Sequence, residues 1–156
     1  MQTQLTLKEV LEKAVQKEIA SRSLYTGLRQ RVNNASAKDA LEFLAGQELK
    51  HQQFLEDYLQ GKLKEGVLHS GLVVDYKVAD HLNQPDIEPT MELKEVFQLA
   101  GLREKASYEL YTGLSAIHPP GQAKHLLDDL AEEELRHKFK VETLYTEVAF
   151  PQTDGG

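Results

Sequence analysis

The 156-residue sequence contains no cysteine. A disulfide framework, a thiolate zinc site, an iron–sulfur cluster and a cysteine nucleophile are therefore all excluded. Any bound metal has to be held by oxygen and imidazole ligands. The sequence also lacks an apolar run approaching the roughly 18 residues that a membrane helix needs, so we expect no membrane partner.

Positive charge is scarce as well. The chain has 18 Lys and Arg against 25 Asp and Glu, and its formal net charge is -7. An acidic surface gives no electrostatic reason to bind nucleic acid or an anionic membrane. The N-terminal residues show no basic segment followed by an apolar stretch, so we expect no signal peptide and a cytoplasmic protein.

The length and the 40% hydrophobic content are typical of one globular domain, which we place at residues 1–150. Residues 151–156 predict a disordered tail. Within the domain, apolar residues recur at helical spacing in four long segments. The predicted helices span about residues 6–33, 36–60, 91–117 and 122–148.

Signals at the helix ends support these limits. Thr6 and Glu9 have the spacing of a capping box at the start of the first helix. Ser36 is the expected N-cap of the second helix, and Gly61 suits its C-terminal end.

The connections predict the topology. Short turns make each consecutive helix pair an antiparallel hairpin. The connection at residues 61–90 is long enough to run the length of a bundle, and within it residues 73–81 predict a short helix or an extended strap. One long crossover between two hairpins is the ferritin-like arrangement, so the predicted fold is an all-α, ferritin-like four-helix bundle.

The two hairpins repeat each other in sequence. EIASRSLYTGL, which begins at Glu18, matches EKASYELYTGL, which begins at Glu104, at eight of eleven positions. ELKH from Glu48 to His51 matches ELRH from Glu134 to His137. Both matches have an offset of 86 residues, so they need no gap and indicate a duplicated helical hairpin.

Each half offers one Glu on its first helix and one Glu-x-x-His motif on its second. Residues three apart share a helix face, so each motif can bind one ion through both side chains. This is the ligand set of a di-iron or di-manganese bundle site. We predict two iron ions, with manganese or zinc left open. The predicted ligands are Glu18, Glu48, His51, Glu104, Glu134 and His137, with Glu48 and Glu134 bridging the two ions.

A single E-x-x-H motif on a helix is usually a surface coincidence, and a mid-helix glutamate is usually solvated. Here, however, Glu18 and Glu48 lie among residues that should face inward. A buried carboxylate is very costly unless it is paired or metal-bound. The matched positions in the two halves therefore favour a metal site.

Tyr25 and Tyr111 are equivalent in the repeat, each seven residues after its glutamate. Each could donate a hydrogen bond to a carboxylate of the other hairpin and so support catalysis, or could be an ordinary core tyrosine. Gly27 and Gly113 are expected to permit close helix packing. The histidines without a partner in the repeat are expected on the surface or in loops: His69, His81, His118 and His125.

Over almost its whole length the chain resembles the rubrerythrin branch of the ferritin-like superfamily. The resemblance rests on KEIASRSLYTGL, GQELKHQQFL, VVDYKVADHL, LREKASYELYTGL and AEEELRHKF. It implies a di-iron centre with the six ligands named above that reacts with hydrogen peroxide or dioxygen. Bundles of this type are often homodimers, sometimes with swapped hairpins.

The sequence departs from that family in two ways. Rubrerythrins proper carry a cysteine-ligated rubredoxin domain, whereas this chain has no cysteine, so electrons have to come from an external, rubredoxin-like donor protein. Many rubrerythrins also have an extra glutamate where this chain has Gly101, which implies a symmetric six-ligand site and weakens the transfer of peroxidase activity.

The leading interpretation is a di-iron oxidoreductase that protects against oxidative stress. An iron-binding or iron-storage module is the second, and a metal-free helical interaction protein the third.

Overall fold

Four long helices form two hairpins, and a crossover joins the hairpins. The computed structural model describes residues 5–63, 71–84, 87–88 and 90–149, so the predicted tail at 151–156 lies outside the described residues. In chain order the elements are β1 (Leu5–Thr6), α1 (Leu7–Arg31), α2 (Ala35–Leu59), β2 (Val73–Val74), α3 (Tyr76–Ala79), a 3-10 helix (Asp80–Leu82), α4 (Leu93–Ala116) and α5 (Gln122–Ala149). α1 packs along α2, and α4 packs along α5, so each short turn closes an antiparallel pair.

Side-chain caps set where the first two helices begin. The predicted capping box of α1 is present: the Glu9 N–H donates to Thr6 Oγ1 at 3.2 Å, and the Thr6 N–H donates to Glu9 Oε2 at 2.9 Å. The predicted N-cap of α2, Ser36, is wrong. Asn34 occupies that position and accepts from the Ala37 N–H at 3.1 Å, because its short amide side chain reaches the third residue onward.

The end of α2 is the one place where the described backbone needs glycine for its conformation. Gly61 follows the helix with φ of 73°, in the left-handed region that favours glycine. Its N–H donates to the carbonyl oxygen of Tyr58 at 3.0 Å, which closes the last turn of the helix. The prediction that Gly61 ends this helix is confirmed.

The crossover runs the length of α1. Near the start of α1, β2 pairs antiparallel with β1. Near the end of α1, the Arg31 guanidinium donates to the Met91 carbonyl oxygen at 2.8 Å, just before α4 begins. α4 therefore runs antiparallel to α1. The alternatives predicted for residues 73–81, a short helix or an extended strap, both occur: a two-residue strand precedes a one-turn helix.

The crossover packs against α4 where that helix has a glycine. A Cβ added at Gly113 would lie 2.8 Å from both γ-carbons of Val78, so only glycine lets α3 approach this closely. The equivalent glycine of the first half, Gly27, has nothing within 4 Å of such a Cβ. The expected close packing is therefore present at Gly113, and the expectation was wrong for Gly27.

Two apolar clusters fill the bundle, one towards each end. The first includes Leu11, Leu55 and Leu110, and the second includes Leu28, Leu41 and Phe97. The middle turns of the four long helices place polar residues between them. Among the residues that the structure describes, no helix is long and apolar enough to cross a membrane.

Candidate metal centre

The six predicted ligands meet in the polar layer between the two apolar clusters. α1 supplies Glu18, α4 supplies Glu104, and α2 and α5 each supply a Glu and a His one turn apart. All six are at most 3% exposed. Two segments 86 residues apart thus converge because each hairpin repeats the same inward-facing positions.

The side chains form two overlapping groups. Within each group, one ligand atom per residue lies within 4.8 Å of the others. Glu48 and Glu134 belong to both groups, whereas each remaining glutamate and each histidine belongs to one. This is the arrangement expected if two carboxylates are shared between two ions. The groups are Glu18, Glu48, His51 and Glu134, and Glu48, Glu104, Glu134 and His137.

The histidines direct the same ring nitrogen inward. His51 Nδ1 lies 2.6 Å from Glu134 Oε1 and 3.7 Å from Glu18 Oε2. His137 Nδ1 lies 3.0 Å from Glu48 Oε1 and 3.6 Å from Glu104 Oε2. The two rings stack with their centroids 5.5 Å apart. Each Nδ1 is therefore placed among carboxylate oxygens, as a metal ligand would be.

Several inward-facing atoms of the site lack a hydrogen-bond partner within the described protein. A buried carboxylate oxygen without a hydrogen-bond donor destabilises the fold, and buried carboxylates are usually paired with cations or bound to metal ions. Four carboxylates balance the charge of two divalent ions, and the mixed oxygen and imidazole donors suit iron or manganese. The residues present therefore fit a pair of metal ions. The unpartnered atoms are the Oε2 atoms of four glutamates: Glu18, Glu48, Glu104 and Glu134.

Electrostatics divides the four glutamates into two pairs. Burial raises the pKa of Glu48 and of Glu134 well above the usual range, and the neighbouring carboxylates raise both pKa values further. Burial also acts to raise the pKa of Glu18 and of Glu104, but neighbouring positive charges and hydrogen bonds lower both pKa values below the usual range. The two shared glutamates thus bind a proton more readily than the two unshared ones.

Two tyrosines cross between the hairpins to hold the unshared glutamates. The Tyr25 hydroxyl on α1 donates to Glu104 Oε1 on α4, and the Tyr111 hydroxyl on α4 donates to Glu18 Oε1 on α1. Burial is the main cause that raises the pKa of both tyrosines, so both stay protonated donors. Each hydrogen bond leaves the Oε2 atom of its glutamate directed into the site.

A buried lysine beside the site was not predicted from the sequence. Lys17 is 6% exposed, and its Nζ lies 3.1 Å from Glu18 Oε1 and 3.9 Å from Glu134 Oε2. It also donates to Ser107 Oγ on α4. Burial alone would lower the pKa of Lys17, but Glu18 and the other carboxylates raise it above its ordinary value. Its place between Ala14 and Ser21 on the inward stripe of α1 was an available signal.

Glu133 is a second residue that sequence reasoning missed. Its Oε2 lies 2.6 Å from Nε2 of His51, the ring nitrogen that faces away from the other ligands. Burial would lower the pKa of His51, but contacts with Glu133, Glu134 and Glu18 raise it to about 12. Glu133 directly precedes the predicted ligand Glu134 and lies at the edge of the inward face of α5. A charged residue in such a position is usually interpreted as solvent-exposed, so the sequence offered no reason to choose it.

We expected the four histidines without a partner in the repeat to lie on the surface or in loops, and the structure agrees for only some of them. His118 is 6% exposed, so that expectation was wrong for it. Its Nδ1 lies 2.6 Å from the Leu114 carbonyl oxygen, and its Nε2 lies 2.6 Å from the Tyr58 hydroxyl, so the ring is part of the core below the turn between α4 and α5. His125 is exposed and His81 is half-buried, whereas His69 lies outside the described residues.

The position of the family's additional glutamate carries no carboxylate here. Gly101 is buried on α4, one turn before Glu104. Among the described residues, the two ligand groups together comprise six residues and no seventh. The geometry thus agrees with a symmetric six-ligand site.

Comparison with known proteins identifies the family. The rubrerythrin family model matches residues 9–145. A crystal structure described as a ferritin-like diiron-carboxylate protein from Thermotoga maritima superposes with a TM-score of 0.73 at 20% sequence identity, covering 95% of this chain and 99% of that one. No match was found among curated proteins. The likeness to the solved structure shows the ferritin-like fold, and the match of the family model over most of the chain shows that this protein belongs to the rubrerythrin family.

Proposed function

We propose that the protein is a di-iron carboxylate oxidoreductase that reduces hydrogen peroxide or dioxygen and so protects against oxidative stress. The observation that supports this most directly is the pair of overlapping ligand groups that share Glu48 and Glu134. In this proposal Glu18 and His51 would hold one ion and Glu104 and His137 the other, and both ions would share Glu48 and Glu134.

The surrounding protein suits redox chemistry at a site shielded from water. All six ligands are buried between two apolar clusters, so the bulk solvent is excluded from the reacting centre. Two ferrous ions bound there would supply two electrons, which together with two protons from solvent reduce one hydrogen peroxide to two waters, or one dioxygen to hydrogen peroxide. Tyr25 and Tyr111 orient the unshared carboxylates by their hydrogen bonds and leave one oxygen of each for a metal.

The proposal includes partners. Because the sequence has no cysteine, it holds no thiolate-ligated redox centre, and electrons would come from a separate donor protein such as a rubredoxin-like one. The homodimer and the cytoplasmic location stay predictions that size-exclusion chromatography with light scattering and cell fractionation can check.

The test begins with metal analysis of the protein as isolated, followed by addition of hydrogen peroxide or dioxygen to the anaerobic ferrous form. We expect about two iron ions per chain and oxidation much faster than that of free ferrous iron. Glu48→Gln should lose the paired site, whereas Glu42→Gln, on the exposed face of the same helix, should behave as wild type.

Two results would contradict the proposal. Oxidation no faster than that of free ferrous iron would remove the oxidoreductase activity. A large hollow assembly that takes up many iron ions per chain would instead support iron storage.

A further inference from the structure

The outer nitrogen of one metal-facing histidine contacts a carboxylate. His51 directs Nδ1 towards Glu18 and Glu134, and its Nε2 lies 2.6 Å from Glu133 Oε2. His51 is 1% exposed, whereas the Glu133 side chain is 37% exposed. The contact therefore runs from the buried site to the rim of the bundle.

The sequence repeat breaks its symmetry at this position. Glu133 immediately precedes Glu134, and the residue that immediately precedes the equivalent Glu48 is Gln47. The first half thus provides a neutral amide where the second half provides a carboxylate. An anionic oxygen accepts a hydrogen bond about twice as strongly as a neutral one.

The chemical consequence concerns the metal-binding nitrogen. When Nε2 donates its proton to Glu133, the lone pair of Nδ1 is free for a metal ion, and the ring cannot rotate out of position. A carboxylate in this place also makes the imidazole a stronger donor. Removal of such a partner typically weakens metal binding by about 10- to 100-fold.

We infer that Glu133 is a positioning residue that makes the two metal positions unequal, with the His51 position the tighter of the two. This inference rests on the proposed metal site. The nearest cation does not explain a tighter His51 position, because Lys17 lies 3.1 Å from Glu18 of the His51 group, where its charge opposes metal binding.

A pair of reciprocal variants tests the inference. Anaerobic titration of the metal-free protein with cobalt(II), followed by calorimetry and by visible absorption, should resolve two binding steps in the wild type. Glu133→Gln should weaken the tighter step by about 10- to 100-fold and leave the weaker step and the stoichiometry of two unchanged. Gln47→Glu should strengthen the weaker step and bring the two affinities together.

Glu132→Gln is the matched control, because Glu132 precedes Glu133 and pairs only with the exposed Arg136 among the contacts that the structure describes. It should leave both steps unchanged. Circular dichroism of each variant checks that the bundle is intact, and Glu133 is exposed enough for its amide variant to fold.

The outcomes separate the inference from the proposed site. If the wild type does not bind two ions, the proposed metal centre is wrong. If two ions bind but Glu133→Gln changes neither step, or weakens both steps equally, the metal centre stands and the inference about Glu133 is wrong.

Discussion

Lys17 should act as a built-in counter-cation of the metal site, and replacing it with methionine tests this. Methionine keeps much of the length and volume of the side chain but removes its charge. Lys17 Nζ lies 3.1 Å from Glu18 Oε1, and its side chain is 3% exposed. The variant therefore leaves a buried carboxylate without its closest positive charge.

The size of the effect follows from the distance. At 3.1 Å and an effective dielectric constant of about 20, the attraction between Lys17 and Glu18 is about 5 kcal/mol. Desolvation of the two charges offsets part of this attraction, and breaking a buried ion pair usually costs about 3–5 kcal/mol. We expect Lys17→Met to lower the free energy of unfolding of the metal-free protein by about 3 kcal/mol.

The affinity for metal ions should rise in the same variant. Bound cations neutralise the same carboxylates, so the metal-loaded variant should lose much less stability than the metal-free one. Suppose that the metal-loaded variant is as stable as the metal-loaded wild type. The thermodynamic cycle then requires that the unfolding free energy lost by the metal-free variant appear as an equal gain in the free energy of metal binding. A loss of about 3 kcal/mol then corresponds to about a 100-fold gain in the overall affinity for the two ions.

Urea unfolding in the presence of a chelator measures the first effect, and competition with a metal-binding dye measures the second. Lys13→Met is the control, since Lys13 lies one turn earlier on α1 and is exposed. It should change the free energy of unfolding by less than about 0.5 kcal/mol. The reasoning is refuted if Lys17→Met leaves the metal-free protein as stable as wild type, or if affinity falls together with stability.

Three further predictions concern packing, pH and the tyrosine contacts. Gly113→Ala should lower the free energy of unfolding in urea by about 1–3 kcal/mol, because the added Cβ would lie 2.8 Å from the γ-carbons of Val78. Gly27→Ala should instead raise it by up to about 1 kcal/mol, because alanine has the higher helix propensity. Equal effects of the two variants would contradict the packing argument. Burial lowers the pKa of His118, so its stabilisation is complete above the unfolded pKa of about 6.5 and is lost as pH falls through the lowered folded pKa. His118→Gln should therefore flatten the fall in urea stability below about pH 6.5, and parallel pH profiles would argue against this. Tyr25→Phe removes a hydrogen bond to the buried carboxyl group of Glu104 and should cost about 1.5–3 kcal/mol in thermal unfolding, an unchanged transition being the contrary result.

The helical pattern and the duplication were readable in the sequence because both are local. Apolar spacing places a residue on one face of its own helix, and a repeat without gaps puts Glu18 and Glu104, and the two E-x-x-H motifs, at equivalent places. These two facts, together with the lengths of the connections, are enough to predict the bundle, its long crossover and the six residues of the candidate site. Whether those residues bind metal stays a prediction for the titrations above.

The contacts around the site depend on which side chain lies opposite, and helical spacing carries no information about that. Equivalent residues consequently behave differently: Gly113 meets the crossover helix, and Gly27 meets open space. His118 is in the core because the turn between α4 and α5 places it against Tyr58.

Long charged side chains show most clearly which features the sequence predicts and which depend on contacts between helices. Lys17 and Glu133 lie in or beside the inward stripes of their helices, whereas their charges by themselves favour contact with solvent. Only the packing of α1 against α4 and α5 brings the Lys17 ammonium to Ser107 and Glu134, and only the packing of α5 against α2 brings the Glu133 carboxylate to His51. The sequence by itself determined which residues face the middle of the bundle, and the tertiary structure decided which of their charges meet there, because the distances between charges on different helices do not follow from the spacing along any one helix.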